Sequence, residues 1–315
     1  METVNPERSR KLDRPIYTPH QLDSGALTEY LQELCDHYPF FGVEYIGETI
    51  LGRRIPAAVL GNGNTELLYL SGQHGSEWLT GLVLIRFLYE LCEAFETGRK
   101  LYGCDTRYIL SCKRLIVIPL LNIDGAELSL HGIEKDNPLA ERLLRMNEGS
   151  TDFTRWQANA RGVDIDYNYD ALWMEHKNSE QENGITGGCA AKYSGTCPES
   201  EPETGAVAAY LRSHGFRSLL NLRTQGEQIR FSSLSSTPVG ARTIASQMAA
   251  ITGYKLTAPS GTAAYGSLLE WFIEQYDRPA FQLECGKGHD PLPLEEEARI
   301  YLRVRRALFS FPLMV

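Results

Sequence analysis

The chain predicts an α/β layered fold with a largely parallel or mixed sheet, and three observations carry that reading. Short apolar runs of strand length alternate with longer stretches of helical spacing. Turns rich in Gly and Asn, such as Gly61-Asn62-Gly63-Asn64, separate them. Polar residues able to do chemistry gather just past the ends of the strand-like runs, where sheets of this kind collect ligands.

Residues 1–16 are polar and charged, and are expected to be a loosely held N-terminal segment, with one domain filling 17–315. Tyr17-Thr18-Pro19 opens a helical pattern from about Gln21 to Cys35, marked by Leu22, Leu27, Leu31 and Leu34. Two strand-like runs follow, Phe41–Ile46 and Arg54–Leu60.

The stretch from Leu67 to Leu91 organises the rest. Leu67-Leu68-Tyr69-Leu70 reads as a buried strand, stopped at Ser71-Gly72. A helix is expected over roughly Glu77–Phe95. Between them stands His74-Gly75-Ser76-Glu77, an imidazole and a carboxylate three residues apart at a strand-to-helix junction. Both are zinc donors, and catalytic zinc commonly takes two His, one Glu and a water. The same residues also fit a plain reading, with Glu77 favouring the helix dipole and His74 in a loop.

Arg114–Leu120 is a further buried strand, ending in Leu121-Asn122-Ile123-Asp124-Gly125. Residues 126–200 read as long and irregular, a length that points to function or to small elements of their own. Then come a helix at Glu199–Arg212, a strand at Ser218–Arg223, a helix at Val239–Thr252, a helix at Ser267–Tyr276 and a strand at Pro279–Leu283. The tail, Pro293–Leu308, is an amphipathic helix with Arg303, Arg305 and Arg306 expected near its C-terminal end.

Composition excludes some classes. The 315 residues carry a net charge of −9, with 43% hydrophobic and 23% charged residues, an ordinary globular balance. That acidity argues against a nucleic-acid binder. No apolar run approaches the ~18 residues of a membrane span. The first residues lack an apolar core, and the seven cysteines are odd in number and scattered without a C-x-x-C, so a reducing cytoplasm is the expected compartment.

The order of motifs says more than any one of them. H-G-S-E follows a strand, P-L-L-N-I-D-G the next, then G-V-D-I-D-Y-N-Y, S-E-P-E-T before a helix, L-R-T-Q-G-E after a strand, and F-Q-L-E-C-G near the end. This series resembles the zinc carboxypeptidase family, the carboxypeptidase A-like metallopeptidases. It is most similar to the bacterial branch that cleaves γ-D-glutamyl-diamino acid bonds in cell-wall peptides, and it runs from about Tyr17 to Leu308. The resemblance implies a mixed, mostly parallel twisted sheet of about eight strands flanked by helices. It implies a zinc peptidase acting near a chain end on a peptide or peptidoglycan fragment. By the same resemblance His74 and Glu77 are zinc ligands, Asp164 orients His74, and Glu284 is the catalytic carboxylate, taking a proton from water and passing it to the leaving amine.

The chain departs from that pattern at four places. The third zinc ligand would be a histidine where Arg223 stands, and a guanidinium has no lone pair to give. Gln225, His131 and His176 are conceivable substitutes without a spacing argument, while an ion pair of Arg223 with Glu77 or Glu284 would fill the metal's place. Family members that trim C-termini read G-V-D-L-N-R-N-F; here Asp166 and Tyr167 replace the carboxylate-gripping Asn and Arg, and Asp166 would favour an amine. The carbonyl-polarising Arg position falls on Gln157, flanked by Arg155 and Arg161. Tyr265 is the candidate for the family's tyrosine. Two function classes therefore stand: a zinc peptidase of altered specificity, and a non-catalytic relative that binds a peptide or partner in the same groove. A hydrolase built on Cys285 has no base beside it in the sequence.

Overall fold

A computed structural model describes residues 15–259, 261 and 264–315. The N-terminal segment expected over 1–16 lies almost wholly outside the described residues.

Eight strands form one mixed sheet: β1 (Gly42–Glu48), β2 (Arg54–Leu60), β3 (Thr65–Ser71), β4 (Lys113–Ile118), β5 (Ser218–Thr224), β6 (Gln228–Arg230), β7 (Lys255–Thr257) and β8 (Ala280–Cys285). Their order across the sheet is β1-β2-β4-β3-β5-β8-β6-β7. The central four, β4, β3, β5 and β8, run parallel, and β1, β2 and the β6–β8 pairing are antiparallel. Central parallel strands are covered on both faces, which is why Leu67 to Leu70 and Leu115 to Ile118 are unbroken apolar runs at 0% exposure.

Helices α1 (Ser24–His37), α2 (Trp78–Thr97), α3 (Thr106–Cys112), α4 (Ile123–His131), α5 (Ala140–Met146), α6 (Trp173–Glu182), α7 (Pro202–Ser213), α8 (Ala241–Thr252), α9 (Leu268–Tyr276) and α10 (Glu296–Met314) flank the sheet. α2 is buried nearly all round because β3, α1 and α10 all pack against it. The buried Tyr69 hydroxyl donates to the Leu308 carbonyl, tying β3 to α10 at 2.9 Å. α1 starts at Ser24, where the Asp23 carboxylate accepts from the Ala26 amide as an N-cap.

The structure corrects the reading of the tail helix and of Glu77, and adds to it at two other places. The tail helix continues to Met314, so Arg303, Arg305 and Arg306 lie in its middle and have no C-terminal dipole to meet. The apolar run that follows them, with Phe309 and Phe311 buried against Phe87 and Phe281, extends it. β6 and β7 escape the sequence reading because three residues are too few for a period. The long segment 126–200 holds α5 and α6, and its start belongs to α4; α6 is polar nearly all round and gives no apolar stripe. Glu77 precedes α2 in a short 3-10 turn, Gly75–Glu77, rather than opening its first helical turn. No helix among the described residues is long and apolar enough to cross a membrane.

Candidate active site

The site lies at the carboxyl ends of β3, β5 and β8. His74 and Glu77 hang from the turn after β3, and that turn is held by backbone contact. The Gly75 amide donates to the Gln157 carbonyl at 3.0 Å, and a Cβ at Gly75 would stand 2.3 Å from the Gly125 carbonyl oxygen. The Asn122 side chain donates to the carbonyls of Gln73 and Gln157 at 2.9 and 3.0 Å. Asp124, wholly buried, accepts from Thr49, the Leu51 amide and Arg53. The L-N-I-D-G motif is therefore scaffolding that positions the His74 loop.

His74 is bracketed by carboxylates. Nδ1 lies 2.8 Å from Glu77 Oε1, and Nε2 lies 2.9 Å from Asp164 Oδ1. Burial and Arg223 press the imidazole's pKa down, yet Asp164 and Glu77 outweigh them and push it up to about 10. Asp164 is fixed in turn by the Lys192 amide at 3.0 Å and caps a 3-10 turn, Ile165–Tyr167.

Arg223, near the end of β5 and 7% exposed, reaches into the centre of this group. Its Nε donates to Glu77 Oε2 at 2.8 Å and its Nη2 to Glu77 Oε1 at 3.2 Å. Nη1 donates to Asp166 Oδ2, whose second oxygen accepts from Gln73 at 2.6 Å. Nη2 also stands 2.8 Å from His74 Nδ1, with Glu77 bridging both groups. Burial works against the Glu77 anion, but Arg223 and His74 hold its pKa down to about 2.

Glu284 sits on β8 directly opposite Arg223 in register, yet its partners lie elsewhere. Arg230 pairs with it at 3.0 Å, and Gln228 and Gln282 donate to it. The ion pair of Arg223 is thus with Glu77 and Asp166, and not with Glu284. Asp290 also reaches the site, accepting from Thr224 Oγ1 at 2.5 Å; burial and the nearby Glu77 push its pKa up to about 6.

The remaining candidates are placed as follows. Tyr167 stacks on His176 with ring centroids 4.1 Å apart, and His176 Nε2 pairs with the Lys192 carbonyl. His131, in the last turn of α4, pairs instead with Asp23 at 3.0 Å. Gln157 and Tyr265 are half-buried; the residue after Tyr265, Gly266, packs directly on the Tyr167 backbone. Arg155 is exposed, and Arg161 faces Glu201 at 3.6 Å. Cys285 is fully buried, and burial pushes its thiol up to about 12, which leaves no thiolate nucleophile. Gln73, Arg230, Gln228 and Asp290 were invisible in the sequence. Only Gln73, adjacent to His74, carried a hint of its place.

The S-E-P-E-T motif holds the loop that bears Asp164. Asn159 donates to Glu201 at 2.8 Å and to Glu203 at 3.2 Å, all three buried. Burial pushes Glu203 up to about 7 from its ordinary 4.5. A raised carboxyl pKa contributes stability that is full below about pH 4.5 and is lost as pH climbs through 7. At about 1.36 kcal/mol per pH unit the loss is about 3 kcal/mol, so Glu203→Gln should gain on the native chain between pH 5 and pH 8 in urea unfolding. A constant difference across that range would refute the assignment.

Zinc needs donors with free lone pairs. Here the Glu77 oxygens already accept from Arg223, and both ring nitrogens of His74 are engaged, Nδ1 by Glu77 and the guanidinium and Nε2 by Asp164. Among the described residues, no group of three or more His, Cys, Asp or Glu side chains is arranged to hold a metal ion. The residues present do not fit a catalytic zinc.

An eight-stranded α/β sheet carrying these motifs at its strand ends defines the carboxypeptidase class of fold. The family model for zinc carboxypeptidases matches residues 27–287, and the chain belongs to that family. It is 29% identical over 280 residues to γ-D-glutamyl-L-diamino acid endopeptidase 1 of Lysinibacillus sphaericus, covering 89% of this chain and 69% of the relative. The fold is similar to bovine thrombin-activatable fibrinolysis inhibitor, solved with a tick carboxypeptidase inhibitor, at TM-score 0.69 and 16% identity over 94% of this chain and 96% of that one. It is also similar to the murein-tripeptide amidase MpaA of Escherichia coli O157, at TM-score 0.52 and 18% identity over 85% and 91%.

Proposed function

We propose that this chain holds the amine-bearing end of a short cell-wall-type peptide in the carboxypeptidase groove and does not cut it. One observation carries the reading: Arg223 spends its guanidinium on both oxygens of Glu77, so neither Glu77 nor His74 offers a free lone pair at the centre of the site. The choice of ligand end follows from charge. Five carboxyl groups gather with three basic ones: Glu77 and Asp166 on Arg223, Glu284 on Arg230, Asp164 on His74, and Asp290 on the Thr224 hydroxyl. Such a surplus of acid favours an ammonium and repels a terminal carboxylate. The relative from Lysinibacillus is named for a diamino acid linkage, and a diamino acid supplies that second amine.

Titration calorimetry with γ-D-glutamyl-L-lysine tests this. Saturable binding is expected, weakened about tenfold or more when the side-chain amine is acetylated, since about 1.4 kcal/mol accompanies each factor of ten. Chromatography of the same solution should show no free lysine. Equal binding of both peptides would sink the reading.

A second reading, hydrolysis, is supported by Glu284, the residue that the sequence resemblance makes the catalytic carboxylate, which lies near the end of β8 beside β5. Release of lysine that disappears in Glu284→Gln would select it.

A further inference from the structure

We infer that Arg223 and Asp166 act as one compensated pair, a fork of charge that ties β5 mechanically both to the turn at 74–77, the two segments a metal would otherwise join, and to the turn at 165–167. The inference goes beyond ligand binding and stands whether or not a peptide is bound.

The argument begins with the fork. Arg223 presents three nitrogens in a fixed plane, and each meets a buried partner: Nε and Nη2 the two oxygens of Glu77, Nη1 an oxygen of Asp166. Glu77 belongs to the turn after β3, Asp166 to the turn at 165–167, and Arg223 to β5. One side chain thus joins parts of the chain up to 149 positions apart, counting its approach to His74. Asp166 is spent as fully: Oδ2 takes Arg223 and Oδ1 takes Gln73, which extends the tie to the residue before His74.

Neither residue makes sense alone. Burying Arg223 opposite Glu77 alone would leave Nη1 facing a neutral neighbour, with its desolvation unrepaid. Burying Asp166 two residues from Asp164 without Arg223 would crowd two carboxylates on one short turn, with Gln73 as the partner left to the Asp166 side chain. The short turn resolves the crowding by geometry. Asp164 caps it and faces His74, and two residues on Asp166 faces the guanidinium. The two departures from the family pattern at 166 and 223 are therefore two halves of one tie.

A double-mutant cycle on the full chain tests the pairing. Asp166→Asn in the native background should lower the thermal midpoint by roughly 5–10 °C, the scale of a broken buried pair in a chain of this size. The same substitution in Arg223→His should move the midpoint by no more than about 2 °C, because its partner is gone. Equal losses in both backgrounds would overturn the inference. Elemental analysis is the independent readout, and it survives even if Arg223→His fails to fold. The native chain should carry far less than one zinc per molecule, and added zinc should leave its midpoint unmoved. A full equivalent of zinc, or a zinc-dependent rise in the midpoint, would overturn it as well.

Discussion

Arg223→Met will lower the unfolding free energy at pH 7 by about 3–5 kcal/mol, the largest loss expected of any exchange at the site. Methionine fills a similar volume, so the cost is charge and not cavity. Glu77 is 1% exposed and would keep only His74 and the Thr224 amide, at 3.2 Å, as partners. Asp166 would keep Gln73 alone. The sign with pH is fixed by the same contacts. Glu77 and Asp164 have pKa values held down to about 2, so the stability they contribute is present above their ordinary range and is lost as pH falls toward 2. The gap between variant and native chain should therefore be full at pH 7 and shrink as the solution is acidified. Urea midpoints at pH 7 and pH 4 measure it, and a gap that widened with acid would refute the ion-cluster account.

Gly75→Ala is the second large effect, expected at about 3 kcal/mol or more. The added methyl would lie 2.3 Å from the oxygen, 2.4 Å from the carbon and 2.8 Å from the Cα of Gly125, all backbone atoms that no rotamer change can clear. Relief requires the turn to lift from α4, carrying His74 and Glu77 with it. The variant should lose both thermal stability and peptide binding, whereas Gly215→Ala, where nothing stands within 4 Å and φ is not positive, should keep both. Native-like binding by Gly75→Ala would show that the loop is not seated on α4.

The sheet was largely legible in the sequence because its central strands are apolar on both faces. β2 matches its expected limits, and β3, β4, β5 and β8 lie within two residues of theirs. Chemistry at strand ends was legible for a related reason: His74, Arg223 and Glu284 each follow an apolar run that announces where the backbone stops. Side-chain pairing was not. The sequence left Arg223 free to meet Glu77 or Glu284, and only the turn at 165–167 decides, because it delivers Asp166 to the same side as Glu77. Arg230 was beyond reach too, since it comes from a three-residue strand that pairs with β8 in the antiparallel sense.

The crossing order of the sheet has a consequence for how the molecule is made. β3 and β5 are neighbours although some 150 positions lie between them, and β5 and β8 are joined across a further long excursion. Closing loops of that length costs chain entropy before any contact repays it. The group at 74, 77, 166 and 223 cannot pre-exist in a fragment or in an early collapsed chain. It assembles only once β5 is laid beside β3, and a chain that has not made that pairing carries every one of these charges with none of them answered.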